Sequence, residues 1–332
     1  MTRSPNADNT LPNPFLTRIG RVWTGPTLLP RTLRGIVGTV TFTLLTGLIA
    51  AAGAFVLTRL PDGLHAPSKV TQTLDFGMVY LFEGCTAVGA LLATVLMSRL
   101  ARRSWLDYGL RETHAIRRLL HGAVCGLVFI LILMTSIVAL HGVRFASTHV
   151  SSAVLLRNAV LWAGAFAFVA LAEELLFRGY AFFTLARNVH PVFAALLLSF
   201  VFGAAHLYNG GETLRGALFP AAFGLIASLA VWRTGSLWWM FGLHLAIDWS
   251  ETCLFGVADS GLKATHTLLK TTLTGPAWLT GGHVGIEGSL LNIPLMCVLA
   301  WFVWRRLPAS TLGQARESQQ LAAGLGQGPI PR

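Results

Sequence analysis

The chain is 332 residues long, 54% hydrophobic and only 12% charged, with a mean hydropathy of +0.62. Soluble domains carry about 25% charged residues, so this composition excludes an ordinary cytosolic enzyme, a disordered chain and a collagen-like repeat, and it points to a polytopic membrane protein. The net charge of +11 lies between apolar runs rather than in a basic-aromatic module, which assigns it to membrane topology and not to nucleic acid.

Residues 1–33 contain Pro5, Pro12, Pro14, Pro26 and Pro30 and read as a disordered cytoplasmic tail. A spanning helix takes about 20 mostly apolar residues. Windows of that kind run roughly from Val37 to Leu57, Met78 to Met97, Leu120 to Leu140 and Leu155 to Phe183. Four more run roughly from Val192 to Tyr208, Ala217 to Trp232, Leu237 to Phe255 and Leu290 to Trp304. The expected architecture is therefore an all-α, polytopic bundle of about eight transmembrane helices over residues 34–307. Residues 308–332, rich in Gly, Gln and Ala, read as a second disordered cytoplasmic tail. Cys85, Cys125, Cys253 and Cys297 all fall in apolar stretches without a CxxC pair. They read as small buried hydrophobes, not as disulfides or a thiolate zinc site.

The arginines alternate between loops. Arg31 and Arg34 precede the first run, Arg99 to Arg118 follow the second, Arg187 follows the fourth, Arg233 the sixth, and Arg305 and Arg306 the eighth. The intervening loops hold fewer: Arg59 and Lys69, Arg144 and Arg157, Arg215, then Lys263 and Lys270. The positive-inside rule places both termini in the cytoplasm, as an even number of spans also requires.

Charged groups inside an apolar run cost several kcal/mol, about 2.5–3.5 each on insertion scales, so each needs a reason. Glu173 and Glu174 are followed by Arg178. Glu174 and Arg178 are four apart and share a helix face, where they can form a buried ion pair. Glu173 points about 100° away and is left without that partner, as suits a general base or a water or metal ligand. The alternative is that Arg178 bridges both carboxylates. In the next run Phe202 and His206 share a face. In the seventh, His244 and Asp248 lie one turn apart and Glu251 extends that face. They can grip one water, one metal or each other. Glu83, alone in the second run, reads as structural. Glu173, His206, His244 and Asp248 are each costly facing lipid, and convergence on one wet cavity would relieve that cost. They are an inventory for activating water. No HExxH is present, so this is not the usual zinc-protease helix. The window positions set Glu173 and His206 at different depths, so convergence needs a shifted fifth helix or a fourth helix that runs past Tyr180.

Glu-Glu-x-x-x-Arg at Glu173–Arg178, Phe-x-x-x-His at Phe202–His206 and His-x-x-x-Asp at His244–Asp248 resemble the three motifs of the CPBP intramembrane proteases, which include the CAAX prenyl endopeptidases and the bacterial Abi proteins. The resemblance covers roughly residues 155–305, and segments such as 203–211 and 281–290 are similar to bacterial members. It implies a multi-pass helical endopeptidase of the bacterial plasma membrane, with a cavity open toward the cytoplasm and a membrane-associated peptide or protein substrate. Carried over by position, Glu173 activates water beside His206. His244 and Asp248 stabilise the oxyanion or complete a metal site, and Glu174 and Arg178 form a structural pair. Eukaryotic relatives hold Asn where this chain has Asp248. An ionised Asp only accepts hydrogen bonds, so Asp248 suits orienting His244 or binding a cation. Zn2+ held by Glu173, His206, His244 and Asp248 is one option, and a metal-free glutamate mechanism is the other. Two alternatives use the same residues: a non-catalytic immunity or scaffold protein of the same family, and a transporter with a buried Glu/His relay.

Overall fold

The computed structural model describes residues 31–59, 73–146 and 150–309. Both expected tails lie outside the described residues except at their inner edges, and so does Lys69. Helix α1 (Arg31–Leu57) starts three residues before the expected boundary. Helix α2 (Phe76–Leu100) is opened by Asp75, whose carboxylate accepts from the Gly77 N–H at 2.9 Å, a cap worth about 1 kcal/mol. Helix α3 spans Ala115–Ala139. Helix α4 (Ser152–Glu174) passes through a π-helical turn at Leu175–Gly179 into α5 (Tyr180–Asn188). Helix α6 (Pro191–His206) follows, with proline in its first turn, where the missing N–H costs nothing. Helix α7 (Leu218–Thr234) ends on Gly235 at φ 67°, a left-handed stop. Helix α8 (Trp238–Asp248) continues into a second π-helical turn, Trp249–Leu254. The short α9 (Ala277–Thr280) and then α10 (Asn292–Arg306) complete the helices.

Each of the eight apolar windows is helical. Among the described residues four stretches are long and apolar enough to cross a membrane: α1, α2, α3 and the continuous Ser152–Asn188 unit. Helices α6 and α7 are apolar but shorter, at 16 and 17 residues. At about 1.5 Å per residue such a helix falls short of a hydrocarbon core of about 30 Å. The exposed surface of the helices is apolar, with Leu44, Leu156 and Phe200 each about 70% exposed. An apolar belt of that extent suits lipid and not water. The chain is an integral membrane protein.

The interior is built by close helix approach. Helices α3 and α8 meet through Gly122 and Gly126 on one side and Gly242 on the other. A Cβ on any of them would collide with the backbone of the facing helix. Small residues let backbones touch, which is how helices associate where lipid removes the hydrophobic drive. The phenylalanine and tyrosine side chains of α5 fill the neighbouring space, the Tyr180 ring packing at a tilt against Phe42 and Tyr108.

The fold departs from all-α only at one end. Strands β1 (Thr73–Leu74) and β3 (Lys263–Ala264) pair in parallel, and β2 (Val143–Ala146) pairs antiparallel with β4 (Lys270–Leu273). Asn209 also donates to the Ser260 carbonyl there at 3.2 Å. At the opposite end Arg187 donates to the Asp107 carbonyl, Trp238 to the Leu110 carbonyl and Arg233 to the Leu307 carbonyl. The loops thus gather into two clusters. The arginine-rich segments make up one, and the paired strands mark the other. Of the four cysteines, all of them free, only Cys253 is buried; Cys297 faces outward from α10, where a thiol is as compatible with lipid as with a core.

Candidate functional site

Glu173 and Glu174 end α4 immediately before the π-helical turn, and Asp248 ends α8 immediately before the other. Such turns insert an extra residue into the helical repeat and recur at functional sites. Here they turn the groups that follow without breaking the helix: Arg178 after the first pair, Glu251 after Asp248.

Arg178 and Glu174 are both fully buried, with Nη1 3.4 Å from Oε1. The Arg178 guanidinium lies 4.2 Å from the centre of the Phe202 ring, a cation–π contact. Gly224 makes this possible, since a Cβ there would come within 2.8 Å of Arg178 Nη2. Arg178 pairs with Glu174 and does not bridge both carboxylates.

Glu174 is more than half of an ion pair. Its Oε1 also accepts from His244 Nδ1 at 2.9 Å. The other ring nitrogen, Nε2, faces Glu173 Oε2 at 3.4 Å and Asp248 Oδ2 at 3.5 Å. Of the options open to His244 and Asp248, a self-contained His–Asp hydrogen bond is not the one formed: the imidazole is held through Glu174. Asp248 stands beside Nε2 rather than fixing the ring. Glu173 keeps 24% of its side chain exposed, whereas Glu174 keeps none.

His206 is held by its own motif. Its Nδ1–H donates to the Phe202 carbonyl at 2.8 Å, which leaves Nε2 of the neutral ring with a lone pair. The Phe202 ring is edge-on to His206 at 4.6 Å and to His244 at 6.5 Å. Phe202 therefore touches Arg178, His206 and His244 at once.

Glu173, His206, His244 and Asp248 line one cavity of about 520 Å³. The difference in depth is resolved by the second of the two routes: the fourth helical unit runs past Tyr180 to Asn188. Phe82, Ile130, Phe166, Phe219 and Phe223 make much of the remaining wall. The loop residues of the lining (Thr73, Asn209, Ser260, Glu287) come from the strand-paired end. The cavity thus lies at the end away from the arginine-rich loops. A cytoplasmic opening and the arginine-based orientation are therefore mutually exclusive.

The cavity holds more carboxylates than the motifs announce. Asp75, Glu83, Glu173, Asp248, Glu251, Asp259 and Glu287 all line it, half of the chain's 14 acidic residues. Glu83 is part of the cavity wall and interacts electrostatically with Glu173 and His244. Its signal was a lone charge in an apolar run. Glu251 was marked only as one more turn of the Asp248 face. Asp259 carried no sequence signal, and Glu287 carried only its place in the 281–290 segment. Burial pushes the Asp259 carboxyl well above its ordinary range, with Asp248 and Glu173 adding to it. Burial pushes Glu287 up to about 7, with Asp259 adding to it. Among the described residues no group of three or more His, Cys, Asp or Glu side chains is arranged to hold a metal ion.

Residues 154–250 match the family model described as Type II CAAX prenyl endopeptidase Rce1-like. That is the family the three motifs resemble, and the matched segment contains all three. No curated protein and no solved structure matches the chain. The chain therefore holds, inside an apolar helical bundle, a segment similar to a membrane-protease family.

Proposed function

We propose that this protein is an intramembrane endopeptidase that hydrolyses a peptide bond of a membrane-associated substrate. The observation that carries this reading is the meeting of Glu173, His206, His244 and Asp248, from three helical units, on one cavity whose other wall is apolar. An apolar wall takes a substrate's lipid-facing part, and the polar wall takes a peptide bond and a water. A CAAX-type substrate comes from the matched family alone.

In this reading a water sits between Glu173 and His206. Glu173 accepts its proton, and the Nε2 lone pair of His206 orients it. The hydroxide adds to the carbonyl carbon, and the doubly protonated form of His244 offers Nε2–H to the oxyanion. The C–N bond then breaks, and the proton held on Glu173 passes to the leaving amine. Asp248 keeps His244 in place electrostatically, and Glu174 fixes its other nitrogen.

The arginine-rich end is the cytoplasmic end by the positive-inside rule. The cavity then opens toward the opposite face, and substrate enters from there.

The test is peptide cleavage by purified wild type and Glu173→Gln in detergent micelles. Loss of a general base costs about 10²–10⁴-fold in rate. Cleavage by wild type with a loss of that size, at unchanged thermal stability, supports the reading. Equal cleavage by both proteins overturns Glu173 as the base. The same preparations assayed for bound zinc, before and after chelator, separate a metal-assisted route from the glutamate route.

A further inference from the structure

We infer that the loop end of the cavity is a subsite for a positively charged group of the substrate, an ammonium or guanidinium carried by the peptide near its scissile bond. The inference rests on the endopeptidase reading and extends it to substrate choice.

Glu251 is fully buried, lines the cavity, and has no hydrogen-bond partner on either carboxylate oxygen. The nearby backbone N–H of Glu287 acts on it electrostatically without forming a hydrogen bond of normal distance and angle. Asn292 is 2% exposed and also lines the cavity. Its amide N–H donates to the Glu287 carbonyl at 2.9 Å, while its Oδ1 has no partner. The orphaned polar atoms at this end of the cavity are thus oxygens, both of Glu251 and Oδ1 of Asn292, while the Glu173 oxygen without a hydrogen bond still faces His244 Nε2 at 3.4 Å. Buried polar groups are almost always satisfied, so the missing partner is a donor. Water supplies donors, but it does not compensate a concentration of carboxylates.

The charge balance points the same way. Asp259 and Glu287 stand beside Glu251, and each interacts with it electrostatically. Asp259 accepts only from Thr252 at 3.3 Å, and one Glu287 oxygen accepts from Ser260 Oγ and the Ser260 N–H at 2.9 and 3.0 Å. No lysine or arginine lines the cavity among the described residues. Burial keeps protons on the Asp259 and Glu287 carboxyls, and a cation beside them would take the place of those protons and favour the ionised forms. The carboxylates do not converge in metal-holding geometry. An ammonium or guanidinium, which spreads several N–H donors over a wider shape, matches separated acceptors better than a compact ion does.

The test compares one peptide carrying lysine, norleucine or glutamate at each position flanking the cleaved bond. Cleavage is read as kcat/KM. Binding is read as Kd by fluorescence anisotropy, on wild type and on Glu173→Gln, which does not cut in the endopeptidase reading. Wild type is expected to prefer lysine over norleucine at one position by about tenfold or more. Glu251→Gln, which keeps the shape, is expected to remove most of that ratio. Asp259→Asn is the second variant should Glu251→Gln fail to fold. Equal handling of lysine and norleucine at every position, or a lysine preference that survives the variants, overturns the subsite. A lysine preference in Kd without cleavage of any peptide keeps the subsite and overturns the endopeptidase reading instead. Calcium or magnesium that competes stoichiometrically with the lysine peptide would replace the organic cation by a metal and overturn the inference.

Discussion

His244 Nδ1 donates to Glu174 Oε1 at 2.9 Å, and that carboxylate is the buried partner of Arg178. The first and third motifs are therefore one hydrogen-bonded unit. The ring that faces the cavity is aimed by a carboxylate that does not reach it. Orienting a histidine through its second nitrogen fixes both its tautomer and its direction.

This unit has a stability consequence. Glu174→Gln keeps an oxygen for His244 but leaves the fully buried Arg178 without its counter-charge, and Arg178→Met leaves Glu174 charged and alone. Breaking one side of a buried pair costs about 3–5 kcal/mol, whereas replacing both can be close to neutral. Each single variant should therefore unfold well below wild type in detergent, and the double variant should recover most of the loss. Additive losses in that cycle would show that the two charges are not coupled.

A second expectation concerns pH. The folded Glu287 carboxyl sits above its ordinary value, at about 7, chiefly through burial. The folded protein thus holds a proton that the unfolded chain has released. That contribution to stability is complete below about pH 4.5, the ordinary carboxylate value, and is lost as pH rises through about 7. Thermal stability of wild type should fall relative to Glu287→Gln between pH 5 and pH 8, by an amount that levels off above the folded value. Parallel curves for the two proteins would remove Glu287 as the titrating group.

A third expectation concerns sidedness. Leu214, 78% exposed, lies in the loop at the cavity end, and Trp105, 39% exposed, lies at the arginine-rich end. With the arginine-rich end in the cytoplasm, a membrane-impermeant thiol reagent added to intact cells should label Leu214→Cys. It should reach Trp105→Cys only after the membrane is opened. The reverse pattern would turn the cavity to the cytoplasm and overturn the arginine-based orientation.

Much of the fold was legible along the chain because a lipid solvent writes itself into composition. Each apolar run became a helix since no other structure satisfies its own backbone within one segment in hydrocarbon. The motif residues were legible for the same reason: a charge in such a run is too costly to be incidental. Length was legible too: the windows at Val192–Tyr208 and Ala217–Trp232 are 17 and 16 residues long, and the helices they became are 16 and 17.

Hydropathy and helical spacing are local properties, and they suffice to specify a helical membrane protein with Glu173, His206, His244 and Asp248 as its expensive polar groups. The fold adds that Glu174 serves His244 as well as Arg178, that Glu83 joins the cavity, and that Asp259 and Glu287 close its loop end beside Glu251. Those relations depend on where separate helices and loops meet, on Gly224 yielding space for a guanidinium and on two π-helical turns. Spacing along one helix specifies which side chains share a face, and packing between helices specifies what that face meets.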